Sequence, residues 1–177
     1  DSLLEVVKYF NVKRYCRIGA MYDAVPHTRP LLVTGNLGSV QPTRDVPNFK
    51  VQRSTYQGPT TIMNLLSDGI ETTDIEAISL MVHLPQYVQL EEDYAGTSRM
   101  IEVISAVYDS IPADLAPSRR GQRQYRELSA SLERNSELKD LIQQMEAYYD
   151  AQLDSSDSAA EKSVPTATLS PEIERFL

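Results

Sequence analysis

Residues 75–84, IEAISLMVHL, form the most continuous apolar run in the chain. A membrane-spanning helix needs roughly 20 apolar residues, and this run is far shorter. Its length and the proline that closes it, Pro85, predict a strand buried on both faces rather than a helix. Such a strand needs other elements packed over it, and the flanking sequence supplies them. Asp1 or Ser2 can cap an opening helix whose apolar positions Leu3, Leu4, Val7 and Phe10 recur at helical spacing. Residues 14–21 read as a strand with an apolar centre, and residues 31–34 as a short strand ending in the turn Gly35-Asn36-Leu37-Gly38. Residues 50–53 can form another short strand. Gly58-Pro59-Thr60-Thr61 leads into a helix on Ile62, Leu65 and Leu66 that ends at Asp68-Gly69. In residues 93–111, Met100, Ile101, Ile104 and Val107 repeat at three and four residues, the stripe of a helix laid on a sheet. Strands alternating with helices predict an α/β domain with a largely parallel sheet, whose strand order the sequence does not give.

The pattern changes at Ser118. Residues 118–154 contain no proline and only Gly121, with Leu128, Leu132, Leu138, Leu141, Ile142, Met145 and Tyr149 as an apolar stripe. The stripe is interrupted at Asn135-Ser136, where Ser136 can cap a second helix, so the segment reads as a helical hairpin or a kinked helix. Ordinary core contact explains the stripe, and a partner surface is the alternative. Residues 155–171 are a polar linker, and Pro171 can restart a short amphipathic tail. Three parts result: an α/β part over 1–117, a helical arm over 118–154, and a linker with tail over 155–177. The chain opens at Asp1, without Met and already in a helical pattern. That start reads as the cut edge of a longer protein, with a removed Met or tag as the plainer reading.

Seventeen Lys and Arg stand against 25 Asp and Glu, a net charge of −8. That balance argues against a nucleic-acid binder, and no run is long enough to enter a membrane. A lone cysteine, Cys16, excludes an internal disulfide and a cysteine-based zinc cluster, which fits a reducing, cytoplasmic setting.

Two histidines carry the candidate chemistry. His83 lies within the apolar run and reads as a satisfied core or strand-end histidine. His27 stands between Pro26 and Pro30 beside Thr28 and Arg29, where a strand ends and where open α/β sheets bind ligands. There the imidazole can act as acid or base and the guanidinium can clamp a carboxylate or phosphate. The plainer reading pairs Arg29 with Asp23 in a rigid turn. Gly58-Pro59-Thr60-Thr61, at a helix start, can face an anion or merely open the helix. Phosphate-loop, dinucleotide, nucleophile-elbow and metal-ligand motifs do not occur. Cys16 reads as inert strand packing, and Glu91-Glu92-Asp93 as a helix N-terminus. No catalytic residue, metal or cofactor is therefore assigned.

Three segments together resemble one family: Ala24-Val25-Pro26-His27-Thr28-Arg29-Pro30, Tyr56-Gln57-Gly58-Pro59-Thr60 and Leu84-Pro85-Gln86-Tyr87-Val88. In this order and spacing they look like the bacterial branch of the PAC2 family, named for the eukaryotic proteasome assembly chaperone 2. The resemblance extends over roughly residues 1–149. It implies a phosphorylase/hydrolase-like, three-layer αβα fold with a mixed sheet, of which this chain would hold the C-terminal part. It also implies a non-enzymatic role, since eukaryotic relatives are chaperones acting in pairs and archaeal relatives are thought to meet the proteasome through C-terminal tails. Bacterial members have no settled activity. Gln86 replaces the histidine of many bacterial relatives, and the ending Arg175-Phe176-Leu177 departs from the hydrophobic-Tyr-any pattern of a docking tail.

Residues and resemblance lead to one expectation: a non-catalytic, homo-oligomeric assembly module meeting a protein partner through its arm or tail. The alternative is a protein that binds or hydrolyses an anionic or nucleoside-like molecule at the sheet edge. His27, Thr28, Arg29, Tyr56, Gly58, Thr60 and Tyr87 would line that site.

Overall fold

The computed structural model describes residues 2–43, 49–51, 62–108, 115–132 and 135–158. The elements run α1 (Ser2–Tyr9), β1 (Arg14–Asp23), β2 (Val33–Asn36), β3 (Phe49–Val51), α2 (Ile62–Glu71), β4 (Glu76–Pro85), α3 (Tyr94–Val107), α4 (Leu115–Leu132) and α5 (Ser136–Ser158). The apolar run is indeed a strand, β4, and it sits inside the sheet, whose order is β1-β4-β2-β3. β1 runs parallel to β4 from Arg14 opposite Glu76 to Asp23 opposite Pro85. β2 lies antiparallel to β4 with Val33 opposite Val82, and β3 is parallel to β2. The fold is α/β with a mixed sheet in which two of the three pairings are parallel.

Alternation along β4 explains the core. Ile78, Leu80 and Val82 point to one face, beside Val33 of β2, and pack with Met100, Val103, Ala106 and Val107 of α3. Leu31 and Leu37 close the ends of this layer. Each large aliphatic side chain buried there contributes about 1.5–3 kcal/mol. The opposite face of the same strands carries Met81 together with Arg17, Asp23, Thr34, Ser79 and His83, and hydrogen bonds join Arg17 to Ser79 and His83 to Asp23 and Thr34. Cys16 is half-buried against the core, and burial pushes its thiol pKa up, as inert packing requires.

The segment after Ser118 divides into two helices, as the interrupted stripe predicts. Their boundaries differ in detail. α4 starts at Leu115, so Pro117 lies in its first turn, and α5 extends to Ser158, beyond Asp154. The cap of α5 is Asn135 rather than Ser136: the Asn135 side-chain oxygen accepts the N–H groups of Glu137 and Leu138 at 3.1 and 3.3 Å.

α4 is seated on the start of α3. A Cβ on Gly121 would lie 2.7 Å from the backbone of Ala95, so only glycine lets the two backbones approach this closely. Asp93 caps α3 by accepting from Gly96 N at 2.7 Å, and the Tyr125 phenol of α4 donates to its other oxygen at 2.8 Å. Gln124 accepts from Tyr94 N and donates to the Glu92 carbonyl. The acidic triplet Glu91-Glu92-Asp93 thus serves a helix N-terminus, as expected.

Candidate functional site

Between β1 and β2 the chain makes a buried loop, in which Val25 and His27 are each 5% exposed. A buried loop must find partners for its backbone, and three elements provide them. The Tyr87 phenol, just past β4, accepts the backbone N–H of His27 at 2.8 Å. Arg99 of α3, itself buried, donates to the Leu31 carbonyl at 2.9 Å. Tyr149 of α5 donates to the Pro30 carbonyl at 2.5 Å.

The His27 ring is wired at both nitrogens. Nδ1 lies 2.6 Å from Tyr87 Oη, and Nε2 lies 2.9 Å from Ser129 Oγ on α4. Tyr87 Oη already accepts from the His27 backbone, so its own proton points to Nδ1; the ring proton then sits on Nε2 and goes to Ser129. Ser129 in turn donates to the Tyr125 carbonyl at 3.0 Å. The rings of Tyr87 and Tyr125 both meet His27 edge-on, with centroids 5.8 Å away. Burial lowers the His27 pKa, with the Glu146 carboxylate opposing it weakly, and burial pushes Tyr87 up to about 12. Tyr125 is raised as well, first by burial and then by Asp93. Each of these shifts favours the neutral form.

Thr28 and Arg29 face α5. The Thr28 hydroxyl donates to Glu146, and Arg29 grips Asp150 through Nε and Nη2 at 2.9 and 2.8 Å. A third contact, Nη1 to Glu146, is 3.2 Å. Arg29 is therefore a carboxylate clamp, as its residue type allows, but the carboxylates belong to the protein's own arm. It does not pair with Asp23. His27, Thr28, Arg29 and Tyr87 do come together, whereas Tyr56, Gly58 and Thr60 lie outside the described residues, as does the 159–177 tail.

Asp23 belongs to a second polar group. His83 Nδ1 donates to Asp23 Oδ2 at 2.6 Å, and in the neutral ring Nε2 then accepts from the Thr34 hydroxyl at 2.8 Å. This hydrogen bond, first among its causes, holds the Asp23 pKa below the usual carboxylate range. His83 is thus a satisfied histidine near a strand end, as its sequence context indicates. The order carboxylate, imidazole, hydroxyl across β1, β4 and β2 is not foreseen from the sequence. Only the strand order and register bring the three side chains to one face. Chemically the imidazole can take the Thr34 hydroxyl proton at Nε2, while Asp23 orients the ring through Nδ1 and stabilises the imidazolium that forms.

Among the described residues no group of three His, Cys, Asp or Glu is placed to hold a metal ion, and no helix is long and apolar enough to cross a membrane.

A family model described as the PAC2 family matches residues 1–127. Among solved structures, a protein of unknown function from Corynebacterium glutamicum is 25% identical, with a TM-score of 0.74 over 86% of this chain and 55% of its own. A Mycobacterium tuberculosis protein of unknown function is 20% identical, with a TM-score of 0.72 over 89% and 53%. A Mycobacterium tuberculosis proteasome-assembly chaperone homologue is 25% identical, with a TM-score of 0.63 over 80% and 59%. The chain thus spans little more than half the length of these proteins. No curated protein matches it.

Proposed function

The chain belongs to the PAC2 family, and from that membership and the geometry of the β1–β2 loop we propose that it is a non-catalytic, self-associating module that binds protein partners during assembly. The observation that carries this reading is the use made of the loop's polar groups. His27 is bonded at its backbone N–H and at both ring nitrogens, and Thr28 and Arg29 hold Glu146 and Asp150. Groups that could grip a ligand instead fasten the arm α4–α5 to the α/β part. A firmly held arm is a surface with little ordering entropy left to lose on docking, which favours association. In this reading residues 1–117 are part of an α/β domain and 118–154 the arm, which α5 carries on to Ser158, with the remainder to 177 a tethered tail. The setting is the cytoplasm of a bacterium, in keeping with a single free thiol.

Apolar surface is also exposed at the sheet edge. β1 pairs with β4 on one side only among the described residues, and Ile18, Met21 and Tyr22 are 52%, 45% and 53% exposed. A long strand edge of this kind takes a further strand, from another chain or from the rest of a longer protein, since the chain spans little more than half the length of its structural relatives. The proteasome-assembly chaperone homologue among the similar structures agrees with the reading, without naming a partner for this chain.

Sedimentation velocity on the purified protein tests the proposal. A dimer or larger species at micromolar concentration is the expected result, and a strictly monomeric protein refutes self-association.

A second reading, a small-molecule or hydrolytic site at the sheet edge, rests on the Asp23–His83–Thr34 row. A thermal-shift screen with anionic and nucleoside-like compounds addresses it. Stabilisation that disappears in Thr34→Val favours this second reading, and no response to any compound counts against it.

A further inference from the structure

α4 carries Arg119, Arg123 and Arg126, all exposed. Their spacing of four and three residues puts them in one row on one helix face, along about 10 Å of axis at 1.5 Å per residue. Like charges at these spacings repel and weaken a helix. The first turn of α4 holds no acidic residue, and among the described residues none of the three forms an ion pair. Arg120, beside them, is directed to the Tyr94 ring 5.4 Å away and is not part of the row. α4 is also held rigidly by Gly121, Gln124 and Tyr125, so the row is a fixed feature rather than a loose fringe of side chains. A chain of net charge −8 thus sets three arginines against the single acid Glu127, four residues after Arg123, on one side of this helix, a local excess of positive charge of the kind that marks functional surfaces.

The complement lies on the other helix of the arm. α5 turns Ile142, Met145 and Tyr149 inward and leaves Glu137, Asp140, Leu141 and Tyr148 exposed, with Leu141 and Tyr148 flanking Met145 at 37% and 55% exposure. Among the described residues no ion pair joins these acids to the arginine row within one molecule.

We infer that a second copy of the chain docks here, the arginine row of each α4 receiving the Glu137/Asp140 face of its partner's α5. A two-fold arrangement satisfies both pairs at once, since each molecule carries both halves. Tyr148 and Leu141 supply the apolar centre, and an arginine can lie over the Tyr148 ring. A nucleic acid is disfavoured as occupant by the surrounding negative charge. This inference deepens the proposed self-association and rests on it.

Charge reversal in sedimentation velocity tests it. Arg119→Glu/Arg123→Glu/Arg126→Glu and, separately, Glu137→Arg/Asp140→Arg should each weaken dimerisation by about tenfold or more. Mixing the two variants should restore a dimer, because one then offers only acidic arms and the other only basic ones. That recovery also shows that both variants are folded. A dimer that ignores both reversals overturns the arm interface while leaving self-association, through the β1 edge for example, intact. A monomeric parent protein overturns both. Reversals that abolish dimerisation with no recovery on mixing also overturn the pairing, as does a monomer whose arginine row instead captures an acidic peptide or RNA.

Discussion

Tyr87 serves His27 twice with one oxygen: its phenol accepts the His27 backbone N–H at 2.8 Å and donates to Nδ1 of the same residue at 2.6 Å. Removing that oxygen leaves a buried N–H and a buried ring nitrogen without partners. Tyr87→Phe keeps the ring and should cost about 1–3 kcal/mol in urea unfolding, the penalty of an unsatisfied buried group. Tyr9→Phe, at an 84% exposed phenol, is the control and should change stability negligibly. Equal, small effects at the two positions would mean that the loop does not depend on this oxygen.

Acid should loosen the fold in two steps. The folded state lowers the His27 pKa below its ordinary 6.5, chiefly by burial, so the unfolded chain binds the extra proton first. The stabilisation is complete above pH 6.5 and is lost as pH falls from there toward the folded value. Asp23 acts lower. Its pKa is held below the ordinary 3.8 by His83, so its contribution is present above that value and disappears as pH drops through the folded one. Melting temperatures measured against pH should show the upper step in the parent protein and not in His27→Gln. An unchanged upper step in the variant would assign it to another group.

Arg29 should govern the attachment of α5 more than global stability. Its guanidinium binds Asp150 through two nitrogens, and the pair is partly solvated, with side chains 33% and 49% exposed. Such a pair is sensitive to salt. In hydrogen exchange, Arg29→Ala should speed the amides of α5 several-fold while those of β4 stay protected, and high salt should reproduce part of the effect. A lysine at this position should not rescue it, because an ammonium group lacks the two-pronged geometry. Uniform acceleration of β4 and α5 would show the arm and the sheet to be one cooperative unit.

Much of this architecture is legible along the chain because it is written in local pattern. The apolar run gives β4, the stripe of Met100 and Val107 gives α3, and the break at Asn135 separates α4 from α5. Residues 24–30 read as a constrained, polar loop, and they are one. The identity of the loop's partners is not legible. Ser129, Glu146 and Asp150 lie far along the sequence, and ordinary helix patterning explains each of them equally well as a solvated residue. Pairing Arg29 with Asp23 is the reasonable local guess. It fails because the register of β1 with β4 gives Asp23 to His83. The Asp23–His83–Thr34 row has the same origin, since three strands must be ordered before their side chains can be seen to share a face.

Two glycines in helices offer a last contrast. Alanine is favoured over glycine in a helix interior by about 1 kcal/mol, so either Gly→Ala change would stabilise an isolated helix. At Gly69 the new Cβ would meet the Leu4 side chain, with Cδ1 at 2.8 Å, and a flexible leucine end can move aside. At Gly121 it would meet the backbone of Ala95 at 2.7 Å and the Tyr94 carbonyl carbon at 3.0 Å. Main chain inside α3 cannot yield without shifting the Asp93 cap and the seat of α4. Gly69→Ala should therefore leave the urea midpoint nearly unchanged or slightly raised, whereas Gly121→Ala should lose about 1–3 kcal/mol, as overpacked contacts do. If Gly121→Ala is instead neutral, α4 is not held at backbone contact, and the arm must be fixed by its side-chain bonds to the start of α3 and to the β1–β2 loop.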